Sequence, residues 1–291
     1  MYKMIYMGGY NPRIFEQITS FKNIELSGVI IDYTLPDVDV EETKMCMQNS
    51  GIPELVLDDI PQINPDMVFL CDYTKILRSD YIDEYLFVNI HAGILPKWRG
   101  FNANCWAMLN GENNIGYTIH RVREGLDAGE IYKIISITLE ENETYASGRE
   151  RIKDLLCEQL ENIFEGILTG DLEPKIQTEQ GIVYNSKLRR IDGDIRDWNK
   201  PSIWINGLNR VFSNGTGVRI YVKGMEYTIV DMEIASEIAI SQGIPGAVVN
   251  MYSDGAVLIK TQDTAVRIKR LMDKKGEIIR PNKILKIGMR L

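Results

Sequence analysis

Both histidines of this chain, His91 and His120, fall within one stretch of about forty residues. The stretch opens Asn89-Ile90-His91-Ala92-Gly93-Ile94-Leu95-Pro96-Lys97-Trp98-Arg99-Gly100 and closes Gly125-Leu126-Asp127-Ala128-Gly129-Glu130. Histidine is the side chain most readily poised for proton transfer near neutral pH, so acid–base chemistry through histidine has no other place to occur. A neutral imidazole takes a proton from an attacking nucleophile, an Asn amide donates to a developing oxyanion, and a carboxylate orients a protonated histidine. Asn89, His91 and Asp127 together suit attack of an amine on a carbonyl through a tetrahedral intermediate. None of the three is a strong nucleophile, which favours direct transfer from a bound donor over a covalent enzyme intermediate. Taken singly, each residue has a plainer reading: a strand-end histidine is more often structural, and an Asp between glycines is usually a turn residue. The spacing of His91, His120 and Asp127 matches no standard metal site, so no metal is expected. His120, in an alternating segment, reads as a supporting wall that packs or hydrogen-bonds beside the site. Cys105 lies nearby, but no motif activates it.

The elements that must position these residues alternate between strand and helix. Residues 3–7 read as a strand leading into Gly8-Gly9, with Asn11-Pro12 as a helix start and 13–21 as the helix. Residues 24–31 are a second strand and 40–49 a helix. Residues 54–57 and 66–71 are strands, and 86–90 is another that delivers Asn89 and His91 at its carboxyl end. Such alternation predicts an α/β fold with a Rossmann-like, mostly parallel sheet and helices on both faces, whose ligands bind beyond the carboxyl ends of the strands. Gly8-Gly9 is equally a tight strand-to-helix turn and a phosphate cradle; Met7-Gly8-Gly9-Tyr10-Asn11-Pro12 is not G-x-G-x-x-G. Residues 101–110 read as a helix, 116–123 and 131–139 as strands flanking the Asp127 loop, and Thr144 as the cap of a long helix. The apolar positions Ile152, Leu155, Leu156, Leu160, Ile163, Phe164 and Ile167 of that helix follow a 3.6-residue period and form a core stripe.

A composition shift over 185–200 marks a boundary. Three segments follow: a catalytic domain over 1–190, a linker over 191–200, and a small C-terminal domain over 201–291. In the last, 201–212 reads as a helix, and five short strands (219–222, 227–232, 246–250, 256–260 and 265–270) predict a β-barrel-like, OB-type domain. Net charge is −8, but residues 201–291 hold 13 Lys and Arg against 8 Asp and Glu. That is a prior for an anionic partner, or simply a solvated basic face, at Arg267, Lys269, Arg270, Lys274 and Lys275. The composition, 44% apolar and 25% charged, fits a soluble globular protein. No run approaches the roughly twenty apolar residues of a membrane span. The N-terminal apolar stretch lacks a signal peptide's long hydrophobic region. The four scattered cysteines (Cys46, Cys71, Cys105, Cys157) look like reduced residues of a cytoplasmic protein.

The full string is more specific than its parts. Residues 89–100, then Trp106, then Asn110-Gly111-Glu112-Asn113-Asn114-Ile115-Gly116-Tyr117-Thr118-Ile119-His120, then 125–131, resemble the folate-dependent formyltransferase family. That family includes glycinamide ribonucleotide formyltransferase, methionyl-tRNA formyltransferase and the nucleotide-sugar N-formyltransferases. The similarity is strong over 67–139, plausible over 1–190 and weaker beyond. It implies that Asn89, His91 and Asp127 are catalytic, that N10-formyltetrahydrofolate is the formyl donor, and that a primary amine is the acceptor. It further implies that the folate lies against Lys75-Ile76-Leu77 and Val122-Arg123-Glu124-Gly125-Leu126. Lys97, Trp98, Arg99 and Gly100 are candidates for the acceptor side, with Lys97 and Arg99 toward a phosphate or sugar. One departure is Ala92-Gly93, where the family usually has Pro-Ser.

The acceptor is narrowed by charge. The tRNA enzymes carry a basic, Gly-rich insertion after the second strand; here Asp32-Tyr33-Thr34-Leu35-Pro36-Asp37-Val38-Asp39-Val40-Glu41-Glu42 is strongly acidic and would repel an RNA backbone. Trp106, His120 and the Trp98-Arg99-Gly100 loop look closer to the sugar enzymes. The expected acceptor is therefore the amino group of a nucleotide-linked amino sugar, as in lipopolysaccharide or glycan biosynthesis, with homodimerisation a family-level expectation. Methionyl-tRNA formyltransferase is the alternative, and a formyltetrahydrofolate hydrolase, which shares the triad, a second.

Overall fold

A computed structural model describes residues 1–9, 11–213, 217–235 and 243–291. They form two compact units: Met1–Ala103, Gly116–Ile137 and Arg151–Asn185 in one, Asn104–Ile115, Thr138–Glu150 and Ser186–Leu291 in the other. The chain runs β1 (Tyr2–Gly8), α1 (Pro12–Thr19), β2 (Ile24–Ile31), α2 (Asp37–Ser50), α3 (Ile60–Ile63), β3 (Met67–Cys71), α4 (Ser79–Glu84), β4 (Phe87–His91), β5 (Trp98–Gly100), α5 (Ala103–Leu109), β6 (Asn114–Arg121), β7 (Ile131–Thr138), α6 (Tyr145–Thr169) and β8 (Val183–Asn185). The six-stranded sheet has the order β2-β1-β3-β4-β6-β7. Its first four strands pair in parallel and β6 runs antiparallel to β4. The α/β class and mostly parallel sheet read from the sequence hold.

The reason lies in the side chains. Every residue of β3 is buried, as a strand covered on both faces by helices requires. Phe69 at its centre packs edge-on against Tyr6 and against Phe164 of α6, at centroid distances of 5.8 and 4.8 Å. The stripe Ile152, Leu156, Leu160 and Phe164 is fully enclosed, so α6 is held by its apolar face. Among the described residues, no helix is long and apolar enough to cross a membrane. Tyr10, within the expected Gly8-Gly9 turn, lies outside the described residues.

One expected strand is absent. Residues 54–57 make a single bridge, Glu54 to Val29, before a 3-10 turn at Leu57–Asp59 and α3. Pro53 contributes only its carbonyl, to Val29 N–H, and cannot extend a ladder. Asp59 accepts from Val56 N–H and starts the turn instead.

In the second unit, α7 (Ser202–Phe212) precedes β9 (Val218–Val222), β10 (Met225–Ile234), β11 (Val248–Met251), β12 (Val257–Lys260), β13 (Ala265–Met272) and β14 (Ile278–Ile279). The sheet is antiparallel, in the order β11-β12-β13-β10-β9, with β14 on β13. Its core includes Val218, Ile220, Ile229, Val257, Val266 and Ile268, and takes in Ile195 and Trp198 from the Arg- and Asp-rich stretch. The buried Arg219 pairs with Asp194 and donates to the Arg190 carbonyl, tying that stretch to β9.

Candidate active site

Successive residues of a strand point to opposite faces, so Asn89 and His91 share a face of β4. Across the antiparallel ladder their partners are His120 and Thr118. Four polar side chains are thus gathered by register alone. His91, His120 and Thr118 are buried.

The hydrogen bonds fix the imidazoles. A backbone carbonyl only accepts, so the ring nitrogen facing one must carry the proton. His91 Nε2 lies 2.6 Å from the Trp98 carbonyl and donates to it. Its Nδ1 therefore carries the lone pair in the neutral ring, and it faces Asp127 Oδ2 at 3.4 Å. His120 Nδ1 lies 2.8 Å from the Arg121 carbonyl. Its Nε2 accepts from the Asn89 amide at 3.0 Å and lies 3.6 Å from Asp127 Oδ1. Asn89 thereby has its nitrogen identified and one N–H engaged, with the second left to donate elsewhere.

Asp127 comes from the turn between β6 and β7 and has a left-handed backbone, φ +50°. The turn closes because position 129 is glycine: a Cβ there would sit 1.7 Å from the Arg121 carbonyl oxygen. Oδ2 also accepts from Gly100 N–H at 2.8 Å, so β5 and the β6–β7 turn meet at this carboxylate. Burial opposes ionisation of Asp127, but His120 and His91 outweigh it and hold the group below the ordinary carboxylate value. Burial pushes His91 down, and Asp127 offsets this only in part. The pair at rest is a neutral imidazole beside a carboxylate.

The other expected site residues are placed as follows. Ile76 is 98% exposed and Leu126 51% exposed; Lys75 and Glu124 are exposed, and Leu77, Val122 and Arg123 are half-buried. Arg123 pairs with Glu130, and Gly125 has φ +94°. Lys97 is exposed, with Nζ 4.8 Å from the Trp98 ring centre, while Trp98 and Arg99 are buried. Gly100 contributes its N–H to Asp127. Burial raises Cys105 to about 12, which removes it as a nucleophile near neutral pH. Among the described residues, no group of three or more His, Cys, Asp or Glu could hold a metal ion.

Sequence reasoning missed three supports. Thr118 Oγ donates to the Gly93 carbonyl and accepts from Leu95 N–H, at 2.6 and 3.1 Å, pinning the loop after His91. Asp32, at the end of β2, accepts from the N–H and hydroxyl of both Thr34 and Thr74, holding the loop that carries Ile76. Burial would raise Asp32, but those hydrogen bonds lower it to about 2. The third is Gln177, whose amide nitrogen donates to the carbonyls of Asp127 and Gly129.

Comparison with known proteins places this geometry. The formyl transferase model matches residues 30–161, and the formyl transferase C-terminal domain model residues 187–287. Together the two models take in most of the chain, which belongs to the formyl transferase family. A methionyl-tRNA formyltransferase of Caldanaerobacter subterraneus subsp. tengcongensis is 28% identical to this formyltransferase over 214 residues, 73% of the chain and 68% of the relative. Two crystal structures share its fold. One is the N-formyltransferase from Helicobacter canadensis in complex with folinic acid and dTDP-3-aminofucose (TM-score 0.70, 16% identity, 92% of this chain and 99% of that one). The other is HypX from Aquifex aeolicus in complex with tetrahydrofolic acid (TM-score 0.60, 21% identity). The match to HypX takes in 97% of this chain and spans 46% of HypX.

Proposed function

We propose that this formyltransferase moves a formyl group from N10-formyltetrahydrofolate to the amino group of a nucleotide-linked amino sugar. The observation that carries the transfer chemistry is the convergence of Asn89, His91 and Asp127 with both imidazole tautomers set by backbone carbonyls. The folate supplies an activated formyl carbon and a nitrogen leaving group. The exposed apolar Ile76 and Leu126, on the 75–77 and 122–126 loops, suit its aromatic rings, and the backbone groups of those loops suit the pterin edge. Lys97 and Gly100 remain on the acceptor side.

His91 Nδ1 takes the proton of the attacking amine and becomes imidazolium beside the Asp127 carboxylate, which stabilises it. The second N–H of Asn89 donates to the oxyanion of the tetrahedral intermediate. When the intermediate collapses, His91 returns the proton to the departing nitrogen. The Trp98 carbonyl holds the ring through Nε2 throughout, and Asp127 adds its hold once Nδ1 is protonated.

For the acceptor, two charge observations favour a small molecule over tRNA. Asp37 and Glu41 are exposed on α2, which follows β2, the outermost strand of the sheet that carries the site on β4 and β6. Of the five basic residues noted in the C-terminal domain, Arg267 pairs with Asp254 and Glu233, Lys269 with Glu233, and Arg270 with Asp231. Three of those five cations are thus engaged by carboxylates, which weakens their draw on a polyanion, whereas a nucleotide sugar brings only a diphosphate. The sequence likeness to the Caldanaerobacter enzyme supports the second reading, methionyl-tRNA as acceptor. The deciding experiment offers formyltetrahydrofolate with nucleotide-linked amino sugars and with initiator methionyl-tRNA, and reads a formyl mass gain. Gain on an amino sugar supports the proposal; gain on the tRNA alone overturns it.

A further inference from the structure

The Asp127 turn is bracketed from outside the string that carries the family resemblance. Gln177 lies in the segment between α6 and β8, fifty residues from Asp127 in sequence. Its Nε2 donates to the Asp127 carbonyl at 2.7 Å and to the Gly129 carbonyl at 2.6 Å. Its Oε1 accepts from Arg99 Nη2 at 2.8 Å. A guanidinium only donates, so Arg99 dictates which end of the Gln177 amide faces the turn. Arg99 is itself fixed: it is 6% exposed, its Nη1 donates to the Tyr184 hydroxyl, and its carbonyl accepts from Asn185 across the β5–β8 pair. The backbone on which Gln177 acts is the left-handed one at Asp127, a conformation that persists only where surrounding contacts over-determine it.

We infer that Gln177, oriented by Arg99, is a positioning residue that sets the Asp127 carboxylate between His91, His120 and Gly100 N–H. Two carbonyls of the turn are anchored on one side, and the carboxylate is presented on the other. A shift of about 1 Å in such a group costs up to about a hundredfold in rate. A glutamate at 177 keeps Arg99 satisfied but faces two carbonyls with an acceptor; a methionine keeps the volume and offers no donor.

The test uses Gln177→Glu and Gln177→Met in the full chain, with two readouts. The first is turnover per folded molecule: kcat should fall about 10–100-fold, with KM for the folate unchanged within about twofold. The second does not need turnover. The chain has two histidines, so nitrogen-15 labelling of histidine resolves both imidazole titrations. The titratable groups facing His91 are Asp127 and His120, and displacement of Asp127 should move the His91 midpoint to lower pH in both variants. A wild-type His91 midpoint and wild-type kcat in both variants would overturn the inference. It rests on the proposed transfer only for the kinetic arm. Wild-type protein inactive on every amine would sink that reading, while the titration would still decide the role of Gln177.

Discussion

Replacing Asp127 by Asn isolates the charge of the site while keeping its shape. In the proposed reaction His91 becomes a cation 3.4 Å from Asp127 Oδ2. At an effective dielectric of about 20, unit charges at that distance attract by about 5 kcal/mol. Asparagine retains an oxygen to accept from Gly100 N–H but carries no net charge, so ~3–5 kcal/mol of transition-state stabilisation should go, a 10²–10⁴-fold loss in kcat. The pH dependence has a defined sign. His91 must be neutral to act, so activity rises as pH passes its pKa, which burial has lowered and Asp127 partly raises. Without the carboxylate that pKa falls further, and the acid limb of kcat/KM moves to lower pH. Steady-state kinetics across pH and folate concentration check both points. Turnover within threefold of wild type, a loss confined to folate KM, or an acid limb moved upward would refute the reasoning.

Gly93→Ser, which restores the residue usual in the family, should here be harmful. A Cβ at 93 would lie 2.6 Å from His91 Nε2 and 2.5 Å from the Ala103 methyl, displacing the ring from the Trp98 carbonyl. We expect kcat reduced by about tenfold or more and a stability loss of ~1–3 kcal/mol; wild-type kcat and an unchanged melt would show that the loop yields freely. Asp32→Asn should destabilise the protein by about 2 kcal/mol, because an NH2 group would face threonine donors in a fully buried position; an unchanged Tm by calorimetry would contradict this. The wild-type Asp32 carboxylate, whose pKa is lowered on folding, contributes stability that is complete above its unfolded value and lost as pH falls through about 2.

The core of the site was legible because its information is local. Asn89 and His91 sit two apart on a strand, Asp127 lies between glycines, and the intervening string is distinctive. What was not legible acts at a distance. Gln177 reaches Asp127 by a tertiary contact that no periodicity announces, and β5 and β8 are three residues each, too short for an alternation pattern. The sequence reads His120 as packing or hydrogen-bonding beside the site, and register supplies the partner, placing it opposite Asn89 as the acceptor that orients the amide. The basic C-terminal cluster was visible as a count of charges. Its partial pairing was not, because Glu233 and Asp231 face Arg267 and Arg270 across the β10–β13 ladder. The single-bridge segment at Glu54 shows the converse, an apolar-looking stretch that Pro53 kept from becoming a strand.

The most direct test of the account is the mass of the amine product when wild type and His91→Ala are each given formyltetrahydrofolate with a panel of nucleotide-linked amino sugars. The account predicts a gain of one formyl group on an amino sugar with wild type, and none above background with a folded His91→Ala protein. Near-normal formylation by His91→Ala, or no sugar formylated by wild type, would contradict it.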